Sequence, residues 1–203
     1  MVAPPVSPDP TSLQFKAKIR RSEASSIFEI EEHGNRYALK VNLHAFGVCD
    51  SGLVPKYYGS VERLDPSCHQ PWLNDFLKDK FHPSAIVLEY LADPEPLNCV
   101  NYSKERHSKA MKALAQVHGA LVVHNDIYPR NILIVPGDPE RVVLIDFDVA
   151  KTFPTKELLD QETGIHWPEP VQACDWELQL LGDYGNCLEE DQKEGLPPNT
   201  KFY

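Results

Sequence analysis

Two short β-branched runs, Ile132-Leu133-Ile134-Val135 and Arg141-Val142-Val143-Leu144-Ile145, flank Pro136-Gly137-Asp138-Pro139-Glu140, and no other feature of the chain restricts its fold as tightly. A Pro-Gly-Asp-Pro segment continues neither strand nor helix, so the pair predicts a two-stranded hairpin. What interrupts the runs is the informative part. The stretch 121–150 reads LVVHNDIYPRNILIVPGDPERVVLIDFDVA: His124-Asn125-Asp126 breaks one apolar run, Asn131 precedes the first strand, and Asp146-Phe147-Asp148 follows the second. Burial gives no reason for these polar positions, and a hairpin sets its two open ends side by side.

Elsewhere the chain divides by pattern. LQFKAKI (13–19), SIFEIEE (26–32) and RYALKV (36–41) alternate as strands do, separated by RRSEAS and by the turn-forming His33-Gly34-Asn35, so three antiparallel strands are expected. VPKYYGSVE (54–62) and AIVLEYL (85–91) predict a second strand pair, with the intervening 66–84 a loop or short helical excursion. Pro94 and Pro96 interrupt both helix and strand and mark a connector. Beyond it, 103–118 places Met111, Leu114, Ala115 and His118 at helical spacing behind a Ser103 cap, with Glu105 in the first turn. KELLDQE and DWELQLLGDYGNCLEEDQKEG predict one or two further helices carrying Trp176, Leu178, Leu180 and Leu181, and residues 1–11 read as a disordered proline-rich tail.

Charge and cysteine content narrow the functional classes. Thirty acidic against twenty basic residues give a formal charge of -10, which repels phosphate backbones and anionic lipid, so neither nucleic acid nor a membrane surface is an expected partner. Five scattered cysteines with no C-x-x-C pair suggest neither a disulfide framework nor a zinc site, and reduced thiols fit the cytoplasm, with the nucleus equally open to them. There is no basic-then-apolar leader signature and no apolar run long enough to span a bilayer. The remaining histidines and tryptophans, His107, His118, Trp72, Trp167 and Trp176, read as ordinary packing or surface residues.

The hairpin geometry gathers Asp126, Asn131 and Asp146 at one end. Three oxygen-bearing side chains suit a hard cation such as magnesium (Mg2+), although Asp and Asn also favour turns and caps. A carboxylate five residues ahead of an amide lets one address a hydroxyl while the other, with Asp146, holds metal on a nucleotide's phosphates.

His124-Asn125-Asp126-Ile127-Tyr128-Pro129-Arg130-Asn131 followed by Ile145-Asp146-Phe147-Asp148 resembles the protein-kinase-like phosphotransferases in order and spacing. The resemblance implies that Asp126 is the catalytic-loop aspartate, Asn131 and Asp146 are metal ligands, and Lys40 of Ala38-Leu39-Lys40 is the phosphate-pairing lysine of the third strand. It implies an adenine-binding hinge at Leu88-Glu89-Tyr90-Leu91, making Ala38, Glu89 and Leu91 nucleotide-pocket residues. For His124 it implies a hydrogen-bonding role that shapes the loop. The cofactors implied are ATP and magnesium, and the partner is a hydroxyl-bearing acceptor, a small molecule or a protein. The loop is similar to the aminoglycoside and choline kinase branch, and the ending LEEDQKEG is similar to that of small fungal kinase-like proteins.

Several positions depart from the family pattern. Asn125 replaces the usual arginine, Tyr128 stands where protein kinases place a lysine, and Asp148 where they place a glycine. The loop Arg20–Ser26 has no glycine to approach phosphates closely. Between Lys40 and the next strand, 41–52 offers no helix carrying a lysine-pairing glutamate, and Trp167-Pro168-Glu169-Pro170 only faintly resembles an Ala-Pro-Glu element. The expected fold is α+β and two-lobed: a truncated β-rich N-lobe at 12–91, and a short, mostly helical C-lobe at 92–203 with the catalytic loop and metal-binding hairpin. The expected activity is transfer of the ATP γ-phosphate to a hydroxyl. The alternative is a pseudokinase-like module that binds nucleotide or a partner without turnover.

Overall fold

The computed structural model describes residues 13–21, 25–32, 34–42, 52–137, 139–163 and 171–198. The tail 1–11, residues 22–24 of the glycine-free loop, residues 43–51 where the glutamate-bearing helix was sought, Asp138 of the hairpin turn and the 167–170 element lie outside them. The chain separates into two compact units, Met1–Leu91 and Ala92–Tyr203.

The first unit is built on a five-stranded antiparallel sheet of β1 (Gln14–Arg21), β2 (Ser25–Glu32), β3 (Asn35–Asn42), β4 (Tyr57–Val61) and β5 (Ser84–Glu89) in the order β1-β2-β3-β5-β4. Gly34, at φ +78°, takes the left-handed conformation that turns β2 into β3 with Glu32 opposite Asn35. Alternation along the strands sends Leu13, Ile30, Val61, Ala85 and Val87 to one core with Leu64 and Leu73, and Phe15, Tyr37, Tyr58, Trp72 and Phe76 pack around it. Each fully buried Ile or Leu contributes about 1.5–3 kcal/mol. The segment between β4 and β5 forms two single 3-10 turns, Pro66–His69 and Asn74–Phe76, the first capped by Asp65, whose Oδ1 accepts the Ser67 N–H at 2.9 Å.

The second unit runs β6 (Glu95–Pro96), α1 (Lys104–Gly119), β7 (Val122–Val123), β8 (Ile132–Val135), β9 (Arg141–Leu144), β10 (Lys151–Thr152), α2 (Lys156–Gln161) and α3 (Ala173–Glu194). The hairpin pairs Ile132 with Leu144 through Val135 with Arg141, and all four β8 residues are buried. The Pro94/Pro96 connector departs from expectation: Glu95 and Pro96 pair with Ile134 and Leu133, so a strand forms where prolines were read as breaking one. It does so because β6 is an edge strand two residues long, where a missing N–H can face outward.

The first helix begins as expected, with Ser103 Oγ accepting the Arg106 N–H at 3.1 Å, but its buried face is rotated. Ala110, Ala113, Leu114, Val117 and His118 are buried, whereas Ala115 is exposed and Met111 half-buried, because α1 packs against both β9 and α3. The last predicted region is one helix of 22 residues, ended by Gly195 in the left-handed conformation at φ +71°, with Leu196 N–H bonded to Asp191 O at 3.0 Å. Its buried stripe is Ala173, Glu177, Leu181, Gly185 and Leu188, at a spacing of three and four; Trp176, Leu178 and Leu180 lie beside it, half-buried. No helix among the described residues is long and apolar enough to cross a membrane.

Gly185 is where α3 receives His107 of α1. That ring donates through Nε2 to Leu181 O, 2.9 Å away, and a Cβ on Gly185 would lie 2.6 Å and 2.7 Å from ring carbons Cε1 and Cδ2. Three residues earlier, Gly182 faces open space. Urea denaturation should therefore show Gly185→Ala costing about 1–3 kcal/mol by overpacking, while Gly182→Ala adds about 0.8–1 kcal/mol through helix propensity alone. Equal effects at the two sites would contradict this packing.

Candidate active site

The loop between β7 and β8 begins at a sharp change of direction. Leu121, at φ +61°, turns the chain out of α1 into β7, whose two valines are buried, and His124 enters the core with no exposed surface. From α3, Glu177 reaches the same place. The residue is 3% exposed and its carboxylate accepts three N–H groups: His118 Nε2 at 2.7 Å, His124 N at 3.1 Å and Asn125 N at 2.5 Å. A buried carboxylate is tolerated only when its lone pairs are so satisfied, and here two of the donors are the loop's own backbone. The reading of His118 as ordinary packing needs correcting, since it is a polar partner in a buried bond.

His124 then organises the rest of the loop. Asp126 N–H donates to its Nδ1 at 3.3 Å and its Nε2 bonds Ile145 O at 3.0 Å, so the ring is used as the neutral tautomer with the proton on Nε2. Burial pushes its pKa below the ordinary 6.5, against the opposing pull of Glu177, the Ile145 bond, Asp126 and Asp146. The ring also lies 4.4 Å from that of Phe147, and Asn125 Nδ2 donates to Val149 O at 3.0 Å. The loop before β8 and the segment after β9 are thereby tied together. Both carry a residue in the left-handed region, Asn125 at φ +62° and Asp146 at φ +69°, a conformation that Asn and Asp adopt with less strain than most side chains.

The structure brings the predicted C-terminal residues together at the hairpin's open end. Asn131 is fully buried, and its Nδ2 donates to Asp126 O at 2.9 Å and to Asp126 Oδ2 at 2.7 Å. Ile145 N–H bonds Asn131 O at 2.9 Å, extending the β8–β9 ladder by one step and setting Asp146 just past it. Asn131 Oδ1 is buried with no hydrogen-bond partner among the described residues. Because Nδ2 is fixed on Asp126, this oxygen is held as an unused acceptor. An unused amide oxygen with a carboxylate next along the ladder fits a hard cation. No group of three or more His, Cys, Asp and Glu side chains with metal-holding geometry occurs among the described residues. A pair of this kind suits a cation that completes its shell with water and phosphate oxygens, as magnesium does.

Arg130 completes this end. Its Nη2 donates to Asp126 Oδ1 at 3.1 Å and to Oδ2 at 3.4 Å, and the guanidinium lies over the Tyr128 ring at 4.4 Å. Tyr128 in turn lies 5.5 Å from the ring of Tyr184 on α3; burial, followed by the neighbouring Tyr128, pushes the Tyr184 phenol far above its ordinary range, so it stays neutral.

The other predicted residues belong to the first unit. Lys40 sits in β3 opposite Ile27 on one side and Ile86 on the other, and its side chain lies outside the described part. Ala38, half-buried, is paired with Glu29 and Leu88. Glu89 ends β5; its N–H bonds Lys56 O at 2.8 Å and its Oε2 accepts the Lys56 N–H at 3.2 Å, so this carboxylate caps the sheet. Leu91 comes next but one, half-buried and outside the strand.

Residues 78–158, which contain Asp126, Asn131 and Asp146, match the lipopolysaccharide kinase (Kdo/WaaP) family. The serine/threonine-protein kinase AfsK of Streptomyces coelicolor is 28% identical over 124 residues, covering 59% of this chain and 14% of that protein. The serine/threonine-protein kinase pkn3 of Myxococcus xanthus is 41% identical over 46 residues, 22% of this chain and 8% of its own length. AfsK of Streptomyces griseus matches to the same extent as its counterpart. The chain thus spans only a small fraction of the curated relatives it matches.

Sequence reasoning assigned no role to Glu177, Arg130 or Tyr184. Replacing Glu177 by Gln leaves one loop N–H or His118 facing an amide donor, and should cost about 1–3 kcal/mol in urea denaturation while hydrogen exchange at the His124 and Asn125 amides loses protection. Unchanged exchange at those two amides would contradict the anchoring role. His124 supplies a pH test. Its folded pKa lies below 6.5, so the unfolded chain binds its proton first; the stability this gives is complete above about pH 6.5 and declines as pH falls below it. The urea midpoint should drop between about pH 7 and about pH 5 more steeply in the parent chain than in His124→Asn.

Proposed function

The chain is a member of the protein-kinase-like superfamily, and on that premise we propose that it is an ATP-dependent phosphotransferase acting on a hydroxyl. The observation that carries the proposal is the state of Asn131: fully buried, its amide nitrogen fixed on Asp126 and its Oδ1 left without a partner among the described residues. A residue recruited only for turn chemistry would use that oxygen on a neighbouring N–H.

In this reading Asn131 Oδ1 and the Asp146 carboxylate hold magnesium, which when bound neutralises charge on the nucleotide's phosphate oxygens. Asp126 orients the acceptor hydroxyl and takes its proton, with Asn131 Nδ2 at 2.7 Å keeping the carboxylate aimed. His124 and Glu177 touch no reactant; they hold the backbone from which Asp126 projects, which is the preorganisation that phosphoryl transfer requires. Lys40, Ala38, Glu89 and Leu91 are proposed nucleotide-pocket positions on the strength of the sequence resemblance. The acceptor is a hydroxyl of a small molecule or of a protein.

The test is a thermal melt with ATP and magnesium against EDTA, on the parent chain and on Asp146→Asn. A ligand that binds only the folded state at 100 times its Kd adds about 2.7 kcal/mol, a shift of several degrees at roughly 2–4 °C per kcal/mol for a chain of this size. A magnesium-dependent shift lost in Asp146→Asn is expected. A well-folded parent chain whose melt ignores MgATP would overturn the reading.

A further inference from the structure

We propose that the cavity between the end of α1, α2 and the start of α3 binds a small organic cation, an amine on an apolar body, and that its occupancy acts on the loop between β7 and β8 through His118 and Glu177. The proposal is independent of the phosphotransfer reading, since none of Asp126, Asn131 and Asp146 lines this cavity.

The cavity has a volume of about 290 Å³, enough for a single ring with a short arm. Ala115, Leu121, Leu159 and Leu178 supply its apolar surface. Its walls are held from behind. Leu159 is buried with Val123 and Ala173, Ala173 N–H bonds Glu162 O at 2.9 Å, and Phe153 N–H bonds Leu121 O at 2.8 Å. Walls tied to a close-packed core cannot shift inward to fill the space.

Charge at the mouth selects the ligand. Lys156 Nζ donates to both oxygens of Asp160, at 2.9 Å and 3.0 Å, and that pair cancels. Asp175, exposed in the first turn of α3, has no partner among the described residues, so the mouth keeps a negative charge. Cys174 adds none, because burial pushes its thiol pKa above the ordinary value. An acid in a first helical turn complements the macrodipole, a role that leaves its oxygens open to a second partner.

The buried polar group of the lining agrees with the mouth. His118 is 8% exposed, and its Nδ1 is buried with no hydrogen-bond partner among the described residues. Because Nε2 donates to Glu177 Oε2 at 2.7 Å, the neutral ring carries its lone pair on Nδ1. A buried acceptor left unmade is destabilising, and a ligand N–H supplies the missing bond. An anion is repelled by both this lone pair and Asp175, whereas an ammonium or amidinium group suits both.

His118 also joins the cavity to the loop. The Oε2 that takes its Nε2–H also takes the His124 N–H at 3.1 Å, and Oε1 takes the Asn125 N–H at 2.5 Å. A donor on Nδ1 polarises the ring and makes Nε2–H a stronger donor, which tightens the carboxylate that fixes the loop's backbone. A ligand seated away from the hairpin's open end thereby biases the path of the segment that carries Asp126.

Titrations of the full chain with benzylammonium, benzyl alcohol and benzoate, followed by melting temperature and hydrogen exchange, test both halves. Benzylammonium should raise the melting temperature saturably, benzyl alcohol less, and benzoate not at all. Ala115→Leu, at an exposed helical position where leucine fills the cavity at little cost in propensity, should abolish the shift. Asp175→Asn should weaken benzylammonium about fivefold and leave benzyl alcohol unchanged. In the bound parent chain, exchange at the His124 and Asn125 amides should slow more than at those of Val142 and Val143. A folded parent chain whose melt ignores benzylammonium, or responds equally to benzoate, overturns the proposal. So does a shift that survives in Ala115→Leu, or one whose concentration dependence is the same in Asp175→Asn. A benzylammonium shift without the extra protection at His124 and Asn125 overturns the link to the loop. No nucleotide is present in any arm, so failure here leaves the phosphotransfer reading standing.

Discussion

One buried carboxylate governs the geometry of the second unit. Glu177 gathers two loop N–H groups and the His118 ring, groups that lie far from it along the chain, onto a single pair of oxygens. The cost of desolvating a carboxylate is offset only if the donors arrive in one arrangement, so the bond set selects a single path for the loop between β7 and β8. Everything at the hairpin's open end inherits that path: the neutral His124 ring that spans to Ile145, the backbone of Asp126, and through Asp126 the orientation of Asn131. The loop's path is thus set by one polar position on a helix outside it.

The elements legible in the sequence are those long enough to repeat. Five strands of the first unit and the β8–β9 hairpin show alternation or β-branched runs over four to eight residues, and α1 and α3 show helical spacing. The strands β6, β7 and β10 have two residues each and leave no period to read; tertiary pairing alone creates them. The α1 face was misjudged because Ala110, Ala113 and Ala115 are interchangeable by hydrophobicity, and only packing on both β9 and α3 decides which of them is buried.

For the site, Asp126 and Asn131 were legible as a pair because five residues and one tight turn separate them, a distance over which local geometry dictates contact. Glu177 was not, since its partners lie 52 to 59 positions earlier and two of them are backbone groups, which carry no side-chain signature. The trace that was available is a charged residue within an apolar stripe of period three and four, flanked by Ala173 and Leu181. Arg130 stood in plain view within the motif, but a spacing of four from Asp126 says nothing until the turn that bends it back is known.

The edge strand β6 has a consequence for how this chain behaves among copies of itself. Behind it lie Ile132-Leu133-Ile134-Val135, an uncharged β-branched run that, on an open edge, would template strand addition from a neighbouring molecule. Two residues of strand, one of them a proline with no N–H to offer, cover that ladder and give an incoming backbone almost nothing to pair with. Glu95 adds a negative charge at the same border. The hairpin that carries Asn131 and Asp146 at its open end is thereby kept from the self-association its composition invites.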